Sequence, residues 1–341
     1  MNSQGHRSLY VTAEDDEASR FLDRREAEEY RLAERWVNPR DGSPMQLVLA
    51  GEFIMGSTPA EIEAARRLSG NGDSFALEHE MPQFRPVVGA FYISVFAVTN
   101  EQYARFLNAV RPEPAQFKRW LPGASQIQPP AAGAEIFAVD PGCERYPVVH
   151  VSWSGAEAYC HWANVRLPKE VEWEKAARGT DGRLFPWGNE WHDDCLQWRR
   201  EPAADAAATA PVDAFPQGRS PYGIYQMAGN VEEWCADPYR PDASHAYAQG
   251  DSLLPQNGQG RVVRGGSCLG RHPLEFRCAM RRASAPDRVV KKCVGFRCVN
   301  GELHWAKQGG SSTEESQPTP KPVIVPLPEV GTAAPAATAS G

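Results

Sequence analysis

The 341-residue chain holds eight Cys and eight His, yet it has no Cys-x-x-Cys pair and no His-x-x-x-His spacing. Those spacings set ligands close enough on a helix or turn to hold zinc or non-haem iron, so no compact metal motif is legible. Long apolar runs are also missing. None approaches the roughly 18 residues that a membrane span needs, which argues against a membrane partner. The first thirty residues lack an apolar core of the secretory kind, so the cytoplasm is the expected location. No internal repeat of fixed period is present. Excess positive charge is lacking as well: 36 Lys and Arg stand against 43 Asp and Glu, a net charge of −7. That balance argues against general nucleic-acid binding.

What is present is enough apolar residue, 42%, for a large core. Three parts are expected. Residues 1–44 form a charged N-terminal arm, with 13–36 read as one exposed helix that either packs on the domain or docks a partner. Residues 45–306 form the folded domain. Residues 307–341 are rich in Pro, Ala and Thr, a composition that cannot bury enough surface to order itself.

Within the domain the pattern predicts few helices among many short strands. Thr99 with Gln102 makes a capping box for a helix through Ala104 and Phe106. Ser154 with Glu157 suggests a second start, for a helix bearing Tyr159, Cys160 and Trp162. A third helix follows Leu167-Pro168 and runs to Ala177, with Gly179 placed to stop it. Phe91–Val98 and Val148–Trp153 read as strands. Gly and Pro total 58 residues, so loops are abundant. The expected class is α+β with small sheets.

Several motifs occur in a fixed order. They are Gly51-Glu52-Phe53 to Met55-Gly56-Ser57, Val98-Thr99-Asn100 with Tyr103 and Phe106, and Arg166-Leu167-Pro168 to Glu172-Trp173-Glu174. Phe185-Pro186-Trp187-Gly188-Asn189 and Gly229-Asn230-Val231 to Glu233-Trp234 follow, then Arg264-Gly265-Gly266-Ser267 to Gly295-Phe296-Arg297. Over about residues 47–300 the chain resembles the sulfatase-modifying-factor family, the formylglycine-generating enzymes and their relatives. The resemblance implies an elaborated C-type-lectin-like α+β fold.

It also implies chemistry that this chain does not fully carry. The family's oxidases bind copper through two cysteines five apart, just after Gly-Gly-Ser. Soft thiolates suit Cu(I). Counted from either side, those positions hold Gly270 and Glu275, or Cys268 and Pro273, which argues against copper. Cys268 is left as a single thiol, with Arg271 and His272 near enough to make it reactive. Ser267 has no His and Asp in motif context. The family's calcium site maps onto Gln226, Gly229, Val231 and Glu233, a hard-oxygen set suited to Ca²⁺. A second calcium site needs an Asn where Cys195 stands. Cys160 and Cys298 fall where the animal enzyme has a disulfide, so they are expected as a bridge or as neighbouring thiols. Cys278 matches another bridged cysteine, but its partner position is Ala177.

With the copper pair gone, a binding role is the main expectation and an oxygen-dependent oxidase acting on a protein or peptide the alternative. Residues 261–297 hold ten Arg and Lys against Glu275 and Asp287, a local +8, so the remainder carries −15. A protein or acidic ligand is therefore expected on the loops between framework residues. The candidate contacts are Cys268, Leu269, Gly270, Arg271, His272, Leu274, Glu275, Met280, Arg282, Ser284, Arg288, Val289, Lys291 and Lys292. The same framework resembles the variable proteins diversified by retroelements, in which such loop positions mutate.

Overall fold

The computed structural model describes residues 34–69, 76–123, 125–130, 136–198, 209–249, 260–287 and 293–301. Of the expected N-terminal helix, 13–33 lie outside these residues. The C-terminal tail, 307–341, lies outside them too.

Two four-stranded sheets organise the chain. The first has the order β1 (Arg35–Val37), β2 (Pro44–Val48), β5 (Phe91–Ser94), β12 (Val299–Asn300), and every pairing is antiparallel. Between β2 and β5 lie the short antiparallel pair β3 (Gly51–Glu52) and β4 (Val87–Val88) and helix α1 (Pro59–Ser69). Trp36, expected at the end of a helix, is instead paired with Met45 in β1, where it packs beside Tyr92 at 6.1 Å. Half-buried, its ring contributes more there than it would on a solvated helix.

Helix α2 (Asn100–Val110) starts as expected: Thr99 caps it and Gln102 closes the box. α3 (Pro114–Trp120) and a second small pair, β6 (Ile127–Gln128) and β7 (Ala138–Val139), follow. α4 (Trp153–Trp162) begins two residues before the expected start. Ser152 is its cap, accepting from Gly155 N at 3.0 Å, while Ser154 lies inside the first turn. Val148–Trp153 is therefore no strand. Its one ladder-like contact is Val148 N to Val98 O, and Trp153 already belongs to the helix. α5 (Glu170–Arg178) ends at Gly179, whose φ of +74° is a conformation most side chains avoid.

The second sheet has the order β10 (Arg281–Ser284), β9 (Arg261–Arg264), β8 (Glu232–Pro238), β11 (Val294–Gly295). β11 alone pairs in parallel, with β8. A short helix, α6 (Ala243–Ala248), lies between β8 and β9.

Two clusters fill most of the core. One surrounds α2 and α4, with Tyr103, Phe106, Tyr159 and Phe296 in edge and stacked contact and Trp234 buried among them. Complete burial of a ring such as Phe106 is worth about 2–3 kcal/mol. The other joins Phe91 and Ile93 of the first sheet to Trp173 and Ala176 of α5 and to Cys235 and Val262 of the second. α5 thus packs between the sheets and brings its charged residues into the interior.

Candidate functional site

Those charges, with Glu80 and Glu233, meet arginines from residues 264–297. Arg264 donates to the Glu174 carboxylate and, at 2.8–2.9 Å, to the carbonyls of Cys278, Ala279 and Met280. Arg281 forks onto Glu170 at 2.7 and 2.8 Å, and Arg277 onto Glu80 at 2.7 and 2.9 Å. Arg297 forks onto Glu233. Burial pushes the Glu170 carboxyl up, but Arg281 and Arg264 beside it outweigh that and hold it below the usual range. All eight side chains are at most 4% exposed.

Arg264, Arg277 and Arg297 are buried framework residues, whereas Arg281 and Arg282, two of the cations expected to give a basic surface, are paired internally as well. Five of the ten cations between 261 and 297 are spent on buried or half-buried glutamates, Arg282 being the fifth. Arg261 lies over the Trp153 ring, 4.0 Å from its centre. Arg271 is exposed. Arg288, Val289, Lys291 and Lys292 lie outside the described residues.

After β9 the chain reverses through Gly265 and Gly266, at φ of +91° and +68°. A side-chain carbon on Gly266 would lie 2.8 Å from both Glu275 O and the Phe276 ring, so only glycine lets the turn close. Ser267 Oγ accepts from Leu269 N and Ser267 O from Gly270 N. Among the described residues no His or Asp bonds this hydroxyl, so no triad is assembled.

The turn is tied by Glu275. Its Oε1 accepts from Arg271 N at 2.7 Å and His272 N at 3.1 Å, and its Oε2 from Arg282 at 2.8 Å. Arg282 also reaches Glu232 at 3.2 Å. Glu275 and Arg282, expected as ligand contacts, are therefore internal braces. Leu274 and Met280 are corrected too: they are buried with Ile62, Ala65 and Leu77. Ser284 is buried in β10, and Gly270 faces the Phe276 ring. What reaches solvent from this turn is Arg271, with Leu269 and His272 half-buried beside it. Next to it stands an aromatic group. Phe276 contacts Trp191 and Trp198, and Trp191 contacts Trp198, Phe185 and Trp187, with centroids 5.1–6.2 Å apart.

Neither register of the five-apart positions offers two thiols. Gly270 has no side chain, Glu275 is fully engaged and Pro273 opens a short helical turn. A copper site of the family's kind does not fit them. Cys268 is wholly buried, and its Sγ lies 3.1 Å from that of Cys293. This contact was not legible in the sequence, because 24 residues separate the two. The bond to Cys293, and then burial, push the Cys268 thiol up, so its thiolate is disfavoured.

The calcium set does not fit either. Glu233 is matched by Arg297 and accepts also from Trp173 Nε1 at 2.7 Å. The Gln226 side-chain oxygen accepts from Asn230 at 2.6 Å, while its nitrogen donates to Pro211 O and Ala214 O. With its one carboxylate neutralised, the set has no net charge to offer a divalent cation. Gly229 and Val231 supply only main-chain carbonyls. Cys160 and Cys298 are neighbours, with sulfurs 3.7 Å apart. Cys278 and Ala177 both lie in the second core cluster, and burial pushes the Cys278 thiol up to about 12.

Residues 33–302 match the model of the sulfatase-modifying factor enzyme 1-like domain. The chain belongs to that family. It is 36% identical to the formylglycine-generating enzyme of Thermomonospora curvata, over 68% of this chain and 88% of that one. It is 30% identical to the inactive Cα-formylglycine-generating enzyme 2 of Bos taurus, over 79% and 93%. The family thus includes a member whose name marks it as inactive. Among solved structures, PvdO from Pseudomonas aeruginosa superposes with a TM-score of 0.56 at 22% identity, over 79% of this chain and 98% of that one. Treponema denticola variable protein 1 does so at 0.50 and 19%, over 78% and 97%. The fold is thus the α+β fold of the formylglycine-generating-enzyme type. No helix among the described residues is long and apolar enough to cross a membrane.

Proposed function

We propose that this domain binds a polypeptide without the copper oxidase chemistry of its enzyme relatives, in the cytoplasm. The observation that carries the reading is the turn after Gly-Gly-Ser. Where the family's oxidases need two thiolates, Glu275 locks the backbone of Arg271 and His272 into a rigid, outward-facing loop. A preformed loop loses little entropy on binding. Arg271 can pair with an acidic side chain, and the half-buried tryptophans beside it are the residue type that anchors protein contacts.

The test has two arms. Peptides selected from a displayed library against the full chain should bind with a change in tryptophan emission. That binding should fall at least tenfold in Arg271→Ser and Leu269→Ser, with melting temperatures unchanged. The same protein, given copper, oxygen and a cysteine-containing sulfatase peptide, should consume no oxygen. Aldehyde formation that is lost in Cys268→Ala would overturn the reading in favour of an oxidase.

A further inference from the structure

The contact between Cys268 and Cys293 has a use that the binding surface above it does not require. Both cysteines are placed by the main chain. Cys268 N donates to Asn230 O at 2.8 Å, and Cys293 O accepts from Glu232 N at 2.9 Å. Asn230 and Glu232 are two residues apart at the start of β8, so one short segment sets the positions of both sulfurs. Their separation of 3.1 Å is about 1 Å longer than the 2.03–2.05 Å of a disulfide. Cys160 and Cys298, at 3.7 Å, stand further from that limit. Access differs within the pair: Cys268 is fully covered, while Cys293 keeps 7% of its surface.

We propose that Cys268 and Cys293 are a redox-responsive dithiol that closes to a disulfide by exchange with a small-molecule disulfide. Exchange begins at Cys293, the residue of the pair that keeps some exposure. Its thiolate attacks the small disulfide, forms a mixed disulfide and releases one small thiol. The Cys268 thiolate then attacks the protein-side sulfur and releases the second. Overall the protein loses two hydrogens and two electrons, and one small disulfide becomes two thiols. The burial that disfavours a thiolate makes exchange slow, and it falls through transient opening at Cys293.

Closure would tie the residue after Gly-Gly-Ser to the entrance of β11. The loop so closed contains the turn with Arg271 and His272, the Glu275 brace and β10. Oxidation would thus fix the exposed turn to β11 as well as to β8. The inference does not depend on the proposed polypeptide ligand, and it holds if the domain binds something else.

The experiment uses the full chain in glutathione buffers running from fully reduced to mostly oxidised. Samples are quenched with alkylating agent in denaturant and cut with trypsin without reduction. Each cysteine falls in a small peptide of its own, residues 265–271 (GGSCLGR) and 293–297 (CVGFR). The expected product is these two peptides joined, two hydrogens lighter than their sum, appearing with oxidation and lost on reduction. The melting temperature should rise by about 5–10 °C on oxidation in the parent and in Cys160→Ser, but not in Cys293→Ser. Recovery of both peptides singly alkylated in the most oxidising buffer overturns the proposal, and so does Cys268 joined to any other cysteine. Mapping in the parent protein decides the matter alone if Cys293→Ser fails to fold.

Discussion

Arg297 donates to both oxygens of Glu233 at 2.7 Å, and neither side chain is more than 1% exposed. The fork joins the segment after β11 to β8 and leaves the carboxylate electrically satisfied. Glu233→Ala would strand a guanidinium in the interior. The expected cost is about 3–5 kcal/mol, seen as a large drop in the denaturant midpoint. In the parent protein, millimolar calcium and chelator should give the same melting temperature. A rise with calcium that Glu233→Ala abolishes would show that the carboxylate holds an ion instead.

Asp237 behaves as an inward-facing acid. Burial, then the neighbouring Glu170 and Glu172, push its carboxyl up to about 6, against bonds from Glu170 N and Tyr247 that lower it. An unfolded aspartate titrates near 3.9. Between about pH 4 and pH 6 the native group therefore keeps a proton that the unfolded chain has released. Stability from this group falls as pH rises through that window and is flat above it. Asp237→Asn should gain on the parent from pH 4 to 6 and hold a constant difference beyond. Urea midpoints at half-unit steps would show this, and a pH-independent difference would refute it.

Arg271 and Arg282 are close in sequence and opposite in role. Arg282→Ser removes the cation between Glu232 and Glu275 and should cost about 1–3 kcal/mol. Arg271→Ser changes an exposed side chain and should stay within about 0.5 kcal/mol. Thermal or denaturant unfolding separates the two, and equal costs would mean that the brace is not formed.

Met280 and Leu274 should behave as core. Either changed to Ala should cost about 2–4 kcal/mol, through lost burial and the cavity left against Ile62 and Leu77. A near-neutral effect would return them to the surface.

The framework was readable because local chemistry fixed it. Thr99 and Gln102 cap α2 through their own side chains, and Gly179 ends α5 because it tolerates positive φ. The motif order from Gly51 to Arg297 carried the fold. The start of α4 was missed because Ser152 and Ser154 are both good caps, and only packing of Trp153 chooses between them. The site was less legible, since charge in sequence does not say where a charge is spent. Arg277 and Glu80 are 197 residues apart, and no local pattern joins them. Likewise Met280 looked like a variable position among basic residues until α1 was seen to cover it. Cys293 carried no sequence signal, because its partner is set by hydrogen bonds to β8.

The buried ion pairs also fix an order of events during synthesis. Glu80, Glu170, Glu174 and Glu233 are all made before residue 261, and their arginines, at 264, 277, 281 and 297, come last. A nascent chain stopped at 260 would have to bury Glu80, Glu170 and Glu233 without their counterions, which costs several kcal/mol for each, while Glu174 keeps Arg178 of its own helix. The ribosome must therefore deliver nearly the whole domain before its interior can close. Until then the half-made core must stay open, and holding factors that shield apolar chain have their longest opportunity to act on it.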